Sequence, residues 1–178
     1  MKLTSRPNLI ILSILALLYS CSTPTGNAPV VDKEKATKEI AAMLDSFNRA
    51  ATKADYTGYF NFYTSDAIFT GTDATERWDK PAFMAWAKPF FDRGKAWDFT
   101  AIDRHIYFDS TGNLAWFDEL LNTQMKICRG SGVVVKQGND WKVKQYILST
   151  TVPNPKLDSV ISIKSKIEDS VINLLQKK

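Results

Sequence analysis

The sequence predicts an α+β fold in which helices come first, an antiparallel β-sheet follows, and one further helix ends the chain. Three observations predict this class. Apolar residues recur at helical spacing near the start of the chain, four β-prone runs joined by short turns lie between Trp97 and Thr151, and helical spacing returns after Pro155. Because short turns join antiparallel neighbours, this order indicates segregated α and β elements.

The first residues of the chain are typical of an export signal. Lys2 and Arg6 precede an apolar run, Leu9 to Leu18, that is too short to span a membrane comfortably. The run ends at Ser20-Cys21, which resembles the bacterial lipobox. The resemblance implies cleavage before Cys21, acylation of that cysteine and stable anchoring in a membrane. A simple signal peptide or an uncleaved helix are the alternatives.

These features divide the chain into four predicted parts. Residues 1–20 are the lipoprotein signal peptide, and residues 21–31, rich in Ser, Thr, Pro and Gly, are a lipidated tether. A folded domain occupies residues 32–155, and an amphipathic helix occupies residues 156–178. By resemblance to lipoprotein sorting rules, Ser22 after the lipidated cysteine implies the outer membrane of a bacterial cell envelope.

Composition and charge exclude several classes of protein. With 44% hydrophobic and 24% charged residues, the chain is neither fibrous nor fully disordered. Loss of Lys2 and Arg6 with the signal lowers the formal charge from +4 to +2, so we expect no nucleic-acid partner. Cys128 has no disulfide partner once Cys21 is acylated, and His105 is the single histidine. We therefore expect no metal and no cofactor.

The helical elements carry recognisable start and stop signals. Asp32 suits the N-cap of a first helix that extends to about Ala54. A short aromatic helix near Tyr56 and a brief strand at Ala67–Thr70 come next. Pro81 suits the first turn of another helix, which is expected to end near Gly94.

The second half of the chain predicts a meander followed by a helix. The four β-prone runs are Trp97–Asp109, Leu114–Asn122, Met125–Gln137 and Trp141–Thr151. The last helix has an apolar stripe that includes Val160, Ile163 and Ile167. We expect so wide a stripe to be buried against the sheet, a second copy of the chain or another protein.

Three segments resemble the SnoaL-like group of the nuclear transport factor 2-like, or ketosteroid isomerase-like, superfamily. They are FTGTDATERW (Phe69–Trp78), AWFDELL (Ala115–Leu121) and RGSGVVVKQGNDWKVKQYILS (Arg129–Ser149). The resemblance identifies residues 32–155 as a SnoaL-like domain. It implies a curved antiparallel sheet wrapped around the N-terminal helices, with a cone-shaped cavity on the concave face. Members include isomerases, hydratases, cyclases and binding modules, so the fold leaves the activity open.

Alternation along the strands predicts which side chains face that cavity. The inward set is then mostly apolar, a composition that suits a small, amphipathic ligand. The predicted pocket residues are Tyr59, Trp78, Trp116, Asp118, Arg129, Ser131, Gln145 and Ile147.

Asp118 and Arg129 are the candidate catalytic residues. On adjacent strands they are placed to form a structural ion pair. Alternatively, Arg129 anchors an oxyanion and Asp118 orients it or acts as a general base. By approximate alignment, the base of the superfamily isomerases falls near Gly71, their tyrosine donor near Phe47 and their acid donor near Ser131. Because these residues are poor substitutes, the resemblance implies no steroid isomerase activity.

The sequence is compatible with three functions. The first is a lipid-anchored protein that holds a small amphipathic molecule in the cone. The second is an isomerase, cyclase or hydro-lyase that works through Asp118 and Arg129. The third is an interaction module that forms a homodimer, since members of the superfamily often dimerise through the sheet.

Overall fold

A computed structural model describes residues 31–177. The predicted signal peptide, Cys21 and all of the predicted tether except Val31 lie outside these residues. The described elements are α1 (Lys33–Thr52), α2 (Tyr56–Asn61), β1 (Tyr63–Thr70), β2 (Arg77–Asp79), α3 (Lys80–Asp92), β3 (Phe99–Phe108), β4 (Leu114–Thr123), β5 (Lys126–Gln137), β6 (Asp140–Thr150), a 3-10 turn (Asn154–Lys156) and α4 (Leu157–Leu175).

The strands form one curved sheet in the order β2-β1-β6-β5-β4-β3. Strands β3 to β6 make the predicted antiparallel meander. Strand β1 instead lies parallel to β6, and β2 pairs antiparallel with β1 at the outer edge. A parallel neighbour is possible here because α3 and four strands separate β1 from β6 along the chain. The predicted α+β class is confirmed, with a mixed sheet.

The predicted helix starts are confirmed by side-chain caps. Asp32 accepts a hydrogen bond from the backbone N–H of Lys35 at 3.1 Å, which caps α1. Asp79 accepts one from the N–H of Ala82 at 2.9 Å, and Pro81 lies in the first turn of α3. Helix α1 ends two residues before Ala54, which has a positive φ of 54°.

The core lies between one face of the sheet and helices α1, α2 and α3, and it is largely aromatic. The rings of Phe69 and Phe83 stack with their centroids 4.0 Å apart, and those of Phe47 and Tyr59 stack at 4.5 Å. Other buried members are Phe60, Tyr63, Phe91, Phe117 and Tyr146. These rings fill most of the interior that the predicted cone would leave empty.

The buried face of β4 is the opposite of the predicted one. Phe117 and Glu119 are buried, whereas Trp116 is 45% exposed and Asp118 is half-buried. The register extends this arrangement to β5, because Asp118 pairs with Ser131 and Leu120 pairs with Arg129. The prediction was wrong because both alternating sets of β4 contain large apolar residues. Alternation alone therefore did not decide which of the two sets faces the core.

Strand alternation predicts that Trp141, Val143, Gln145 and Ile147 of β6 share the inward side, which is correct at one end of the strand and wrong at the other. Trp141 and Val143 are buried. The β5–β6 register then shifts, and Tyr146 and Leu148 are buried while Gln145 and Ile147 are only half-buried. An extra residue at such an irregularity reverses the faces of all the residues after it.

Helix α4 extends from the domain with none of its residues buried. The apolar side chains of Ile163 and Ile167 are 79% and 71% exposed. The sheet of the same chain therefore does not cover the stripe. Of the three surfaces expected to bury it, a second copy of the chain and another protein remain. Between residues 31 and 177, no helix combines the length and apolarity that a membrane crossing requires.

Candidate ligand-binding site

An aromatic cavity of about 190 Å³ lies between α3 and the sheet, at the edge of the aromatic core. Its apolar walls come from β1, α3, the start of β3 with the segment before it, the β4–β5 turn and β6. The apolar lining residues are Phe69, Phe83, Trp86, Phe90, Ala96, Trp97, Phe99, Met125 and Leu148. Gly71, Thr72, Glu76 and Gln124 supply the remainder of the lining.

The α3 wall follows directly from helical spacing. Phe83, Trp86 and Phe90 lie three and four residues apart, so one helix face presents all three rings to the cavity. Phe83 is buried, whereas Trp86 is 39% exposed. The Trp86 and Phe90 rings lie 4.8 Å apart. The α3 wall of the cavity therefore extends from the buried core to the solvent-exposed surface.

Two predicted pocket residues lie directly behind the cavity walls. Tyr59 is buried, with its ring centroid 5.3 Å from that of the lining residue Trp97. Trp78 stacks on the lining residue Trp86 at 4.7 Å. Neither residue lines the cavity itself. The remaining predictions were wrong about the face: Trp116, Asp118, Arg129, Ser131, Gln145 and Ile147 lie on the side of the sheet away from the helices.

Glu76 is the one ionisable side chain that lines this cavity. It is half-buried, and its Oε2 accepts a hydrogen bond from the backbone N–H of Asp73 at 3.2 Å. A β-carbon on Gly71 would overlap the Glu76 carboxylate, so the glycine makes room for it. Sequence reasoning missed Glu76 because it precedes β2, a strand of only three residues for which the sequence predicted no element.

A buried ion pair joins the neighbouring strands β3 and β4, but it is not the predicted pair of Asp118 and Arg129. Glu119, which is 1% exposed, accepts hydrogen bonds from the Arg104 Nε at 2.7 Å and the Tyr146 hydroxyl at 3.0 Å. Arg104 also donates to Asp45 at 2.9 Å and thereby joins the sheet to α1. Glu119 and Tyr146 are both buried, so their part of this network is structural, whereas Asp45 lies at the exposed end.

The electrostatics of this network follow from its burial. Removal from water, together with the negative charge of Glu119, holds the pKa of Tyr146 well above its ordinary value. Burial by itself lowers the pKa of Arg104, but the charges and hydrogen bonds of Glu119 and Asp45 raise it overall. Arg104 therefore stays protonated throughout the pH range of folding studies.

The remaining candidates for polar chemistry lie away from the cavity. The hydroxyls of Tyr59 and Tyr63 are 3.0 Å apart in the core, and burial raises the pKa of both. His105 is exposed and its Nε2 lies 3.1 Å from Asp103. Cys128 is buried and free. In the part of the chain that the structure describes, no cluster of His, Cys, Asp or Glu is suited to a metal ion.

The curved mixed sheet with three helices packed against it has the α+β architecture that the resemblance to the nuclear transport factor 2-like (NTF2-like) superfamily implies. Residues 40–154 match the SnoaL-like domain, so the chain belongs to the SnoaL-like family. This confirms the superfamily resemblance found in the sequence. A search of curated protein sequences found no match.

Several solved structures share this fold at low sequence identity. An NTF2-like protein of unknown function from Pseudomonas putida KT2440 has 17% identity and a TM-score of 0.58, over 68% of this chain and 90% of that one. A cystatin-like protein of unknown function from Nostoc punctiforme has 13% identity and a TM-score of 0.52, over 65% and 90%. A candidate dehydratase of the NTF2-like family from Streptomyces avermitilis has 11% identity and a TM-score of 0.59, over 68% and 99%. Identities this low establish the fold alone.

Proposed function

We propose that this chain is a membrane-tethered SnoaL-like lipoprotein that binds a small amphipathic molecule in the aromatic cavity. The observation that carries the proposal is the lining: many aromatic rings surround a space with a few polar groups at its edge. Ligand sites commonly have this composition. At about 190 Å³ the cavity is smaller than the roughly 300–1,000 Å³ of most sites, so it suits a single-ring molecule.

The geometry favours binding over acid/base catalysis at this site. Asp118 and Arg129, the proposed acid/base pair, lie on the far face of the sheet. The cavity itself offers one carboxylate, that of Glu76, and no second titratable group beside it. General acid/base chemistry at a carbon centre ordinarily uses a base together with an oxyanion donor.

Ligand binding is tested with two exposed tryptophans that lie on opposite sides of the sheet. Trp86 lines the cavity and Trp116 does not, and both are similarly exposed. With p-cresol as probe and calorimetry as readout, we expect Trp86→Ala to weaken binding about three- to ten-fold, the range of one aromatic contact. Trp116→Ala is the matched control and should bind as the parent does. Equal losses in both variants, or no binding to the parent, would refute the proposal.

The membrane anchor rests on the lipobox-like segment and has its own test. Cells grown with radiolabelled palmitate should label the parent chain and not the Cys21→Ser variant. Cys128→Ser is the control, because that thiol is buried inside the domain and should not affect labelling. Fractionation of the envelope should then place the labelled chain in the outer membrane. Labelling that survives Cys21→Ser, or recovery from the inner membrane, would contradict these parts of the proposal.

A further inference from the structure

We infer that the aromatic cavity selects an organic cation, an ammonium group carried on a small apolar body, with Glu76 as its counter-charge. The inference rests on the proposed ligand-binding function and adds the chemical class of the ligand. It follows from the combination of a carboxylate and aromatic rings around one small space.

The charge at the cavity has a single sign. Glu76 is its one ionisable lining residue, and no lysine or arginine is among the lining residues. A half-buried carboxylate without a basic neighbour in its cavity repels anionic ligands and attracts cations. A neutral hydrocarbon, which has neither a charge nor a hydrogen-bond donor, gains nothing from that charge.

The Glu76 carboxylate also has unused capacity. Its Oε2 accepts one hydrogen bond, from the Asp73 amide at 3.2 Å. An ionised carboxylate has about four acceptor positions. A bound ammonium group is therefore able to approach Glu76 without displacing the hydrogen bond that holds the loop.

The rings of the cavity supply the second attraction. A cation within about 6 Å of a ring centroid is attracted by the electron-rich face, most strongly by tryptophan. Trp86 and Trp97 both line the cavity. One lining ring already has a cation over it, since the guanidinium carbon of Arg93 lies 4.8 Å from the Phe90 centroid. Arg93 does not itself line the cavity, so the space inside remains open to a guest.

The experiment compares two probes of the same shape with the purified full chain. Phenyltrimethylammonium carries the charge, and tert-butylbenzene has a carbon atom in place of the nitrogen. Dissociation constants are measured by ligand-observed NMR. We expect the cation to bind about ten-fold or more tightly than its neutral counterpart, from one favourable ring contact plus the carboxylate.

The variants assign this preference to particular groups. Glu76→Gln keeps the shape and the Asp73 hydrogen bond, and it should reduce the preference to the roughly two- to five-fold that one ring contact supplies, while tert-butylbenzene binds as before. Glu34→Gln removes the same charge from the exposed first turn of α1 and should leave the preference unchanged. Trp86→Leu, which keeps an apolar wall, should lower cation binding more than neutral binding. Circular dichroism confirms that each variant is folded.

The outcomes separate the two proposals. Equal binding of both probes, with no effect of Glu76→Gln, overturns the cation inference and leaves ligand binding intact. A preference that persists undiminished in Glu76→Gln also overturns it, because the counter-charge is then elsewhere. Failure of both probes and of p-cresol to bind overturns the proposed function itself.

Discussion

Replacing Glu119 with glutamine should destabilise the domain far more than replacing its neighbour Asp118 with asparagine. The two carboxylates are adjacent in the chain and differ in which side of β4 they occupy. Glu119 is buried with Arg104 and Tyr146, whereas Asp118 lies on the outer face opposite Ser131. The pair of substitutions therefore tests the orientation of the whole sheet.

The magnitude follows from what each side chain leaves behind. Removing one partner of a buried ion pair costs about 3–5 kcal/mol, because the other charge remains buried. Arg104 keeps Asp45 at 2.9 Å and the carbonyl of Ala41 at 3.0 Å, which reduces that penalty. We expect Glu119→Gln to lower the free energy of unfolding by about 2–3 kcal/mol. Asp118→Asn should change it by no more than about 0.5 kcal/mol.

Urea unfolding followed by tryptophan fluorescence measures both effects. If the free energy of unfolding depends equally steeply on urea concentration in the two variants and the parent, only stability has changed. If Asp118→Asn proves as damaging as Glu119→Gln, or if Glu119→Gln has no effect, the assignment of Glu119 to the buried face is refuted.

Three further predictions concern the core and the C-terminal helix. The β-carbon of Gly130→Ala would overlap the Tyr146 hydroxyl, so we expect a loss of about 1–3 kcal/mol and a lower melting temperature. Because burial raises the pKa of Tyr59, Tyr63 and Tyr146, the unfolded chain releases protons near pH 10 that the folded chain keeps. Stability should therefore be complete below about pH 10 and fall above it, as urea midpoints on either side will show. We expect the parent chain to form a dimer through the uncovered apolar stripe of α4, and the chain that lacks residues 156–178 to be a monomer, as light scattering will show.

Each of these predictions has an outcome that contradicts it. An unchanged melting temperature in Gly130→Ala would mean that the Tyr146 hydroxyl is free to move without loss. Stability that is constant across about pH 10 would place the three tyrosines in contact with solvent. A molar mass that follows chain length alone after the deletion would show that α4 does not mediate self-association.

The order and type of the main elements were predictable because local signals specify them. Asp32 and Pro81 mark helix starts through caps and first-turn geometry, which depend on a few adjacent residues. The short turns of the meander likewise predict its antiparallel pairs. Strand β2 was missed because three residues carry no measurable alternation. The parallel pairing of β1 with β6 depends on contacts between distant parts of the chain.

The site was not predictable from alternation because its residues depend on the phase of the strands. In β4 both alternating sets contain large apolar side chains, so either face was compatible with a core. Glycines carried the missing signal: Gly130 lies opposite Glu119 and Gly132 opposite Phe117 in the register. A bulky side chain facing a glycine indicates the crowded, buried side of a sheet. Helical spacing predicts that the cavity residues of α3 share one face of that helix. How exposed each of them is depends on the packing of α3 in the folded domain, which the spacing does not show.

The stacked pair of Trp78 and Trp86 gives the protein an optical property of its own. Two indoles with centroids 4.7 Å apart and planes inclined by 29° couple their electronic transitions. Such coupling produces a paired positive and negative band in the circular dichroism spectrum, and its shape depends on the mutual orientation of the rings. Because Trp86 also lines the cavity, movement of this indole on binding of the proposed ligand would change the spectrum directly, without any dye or label.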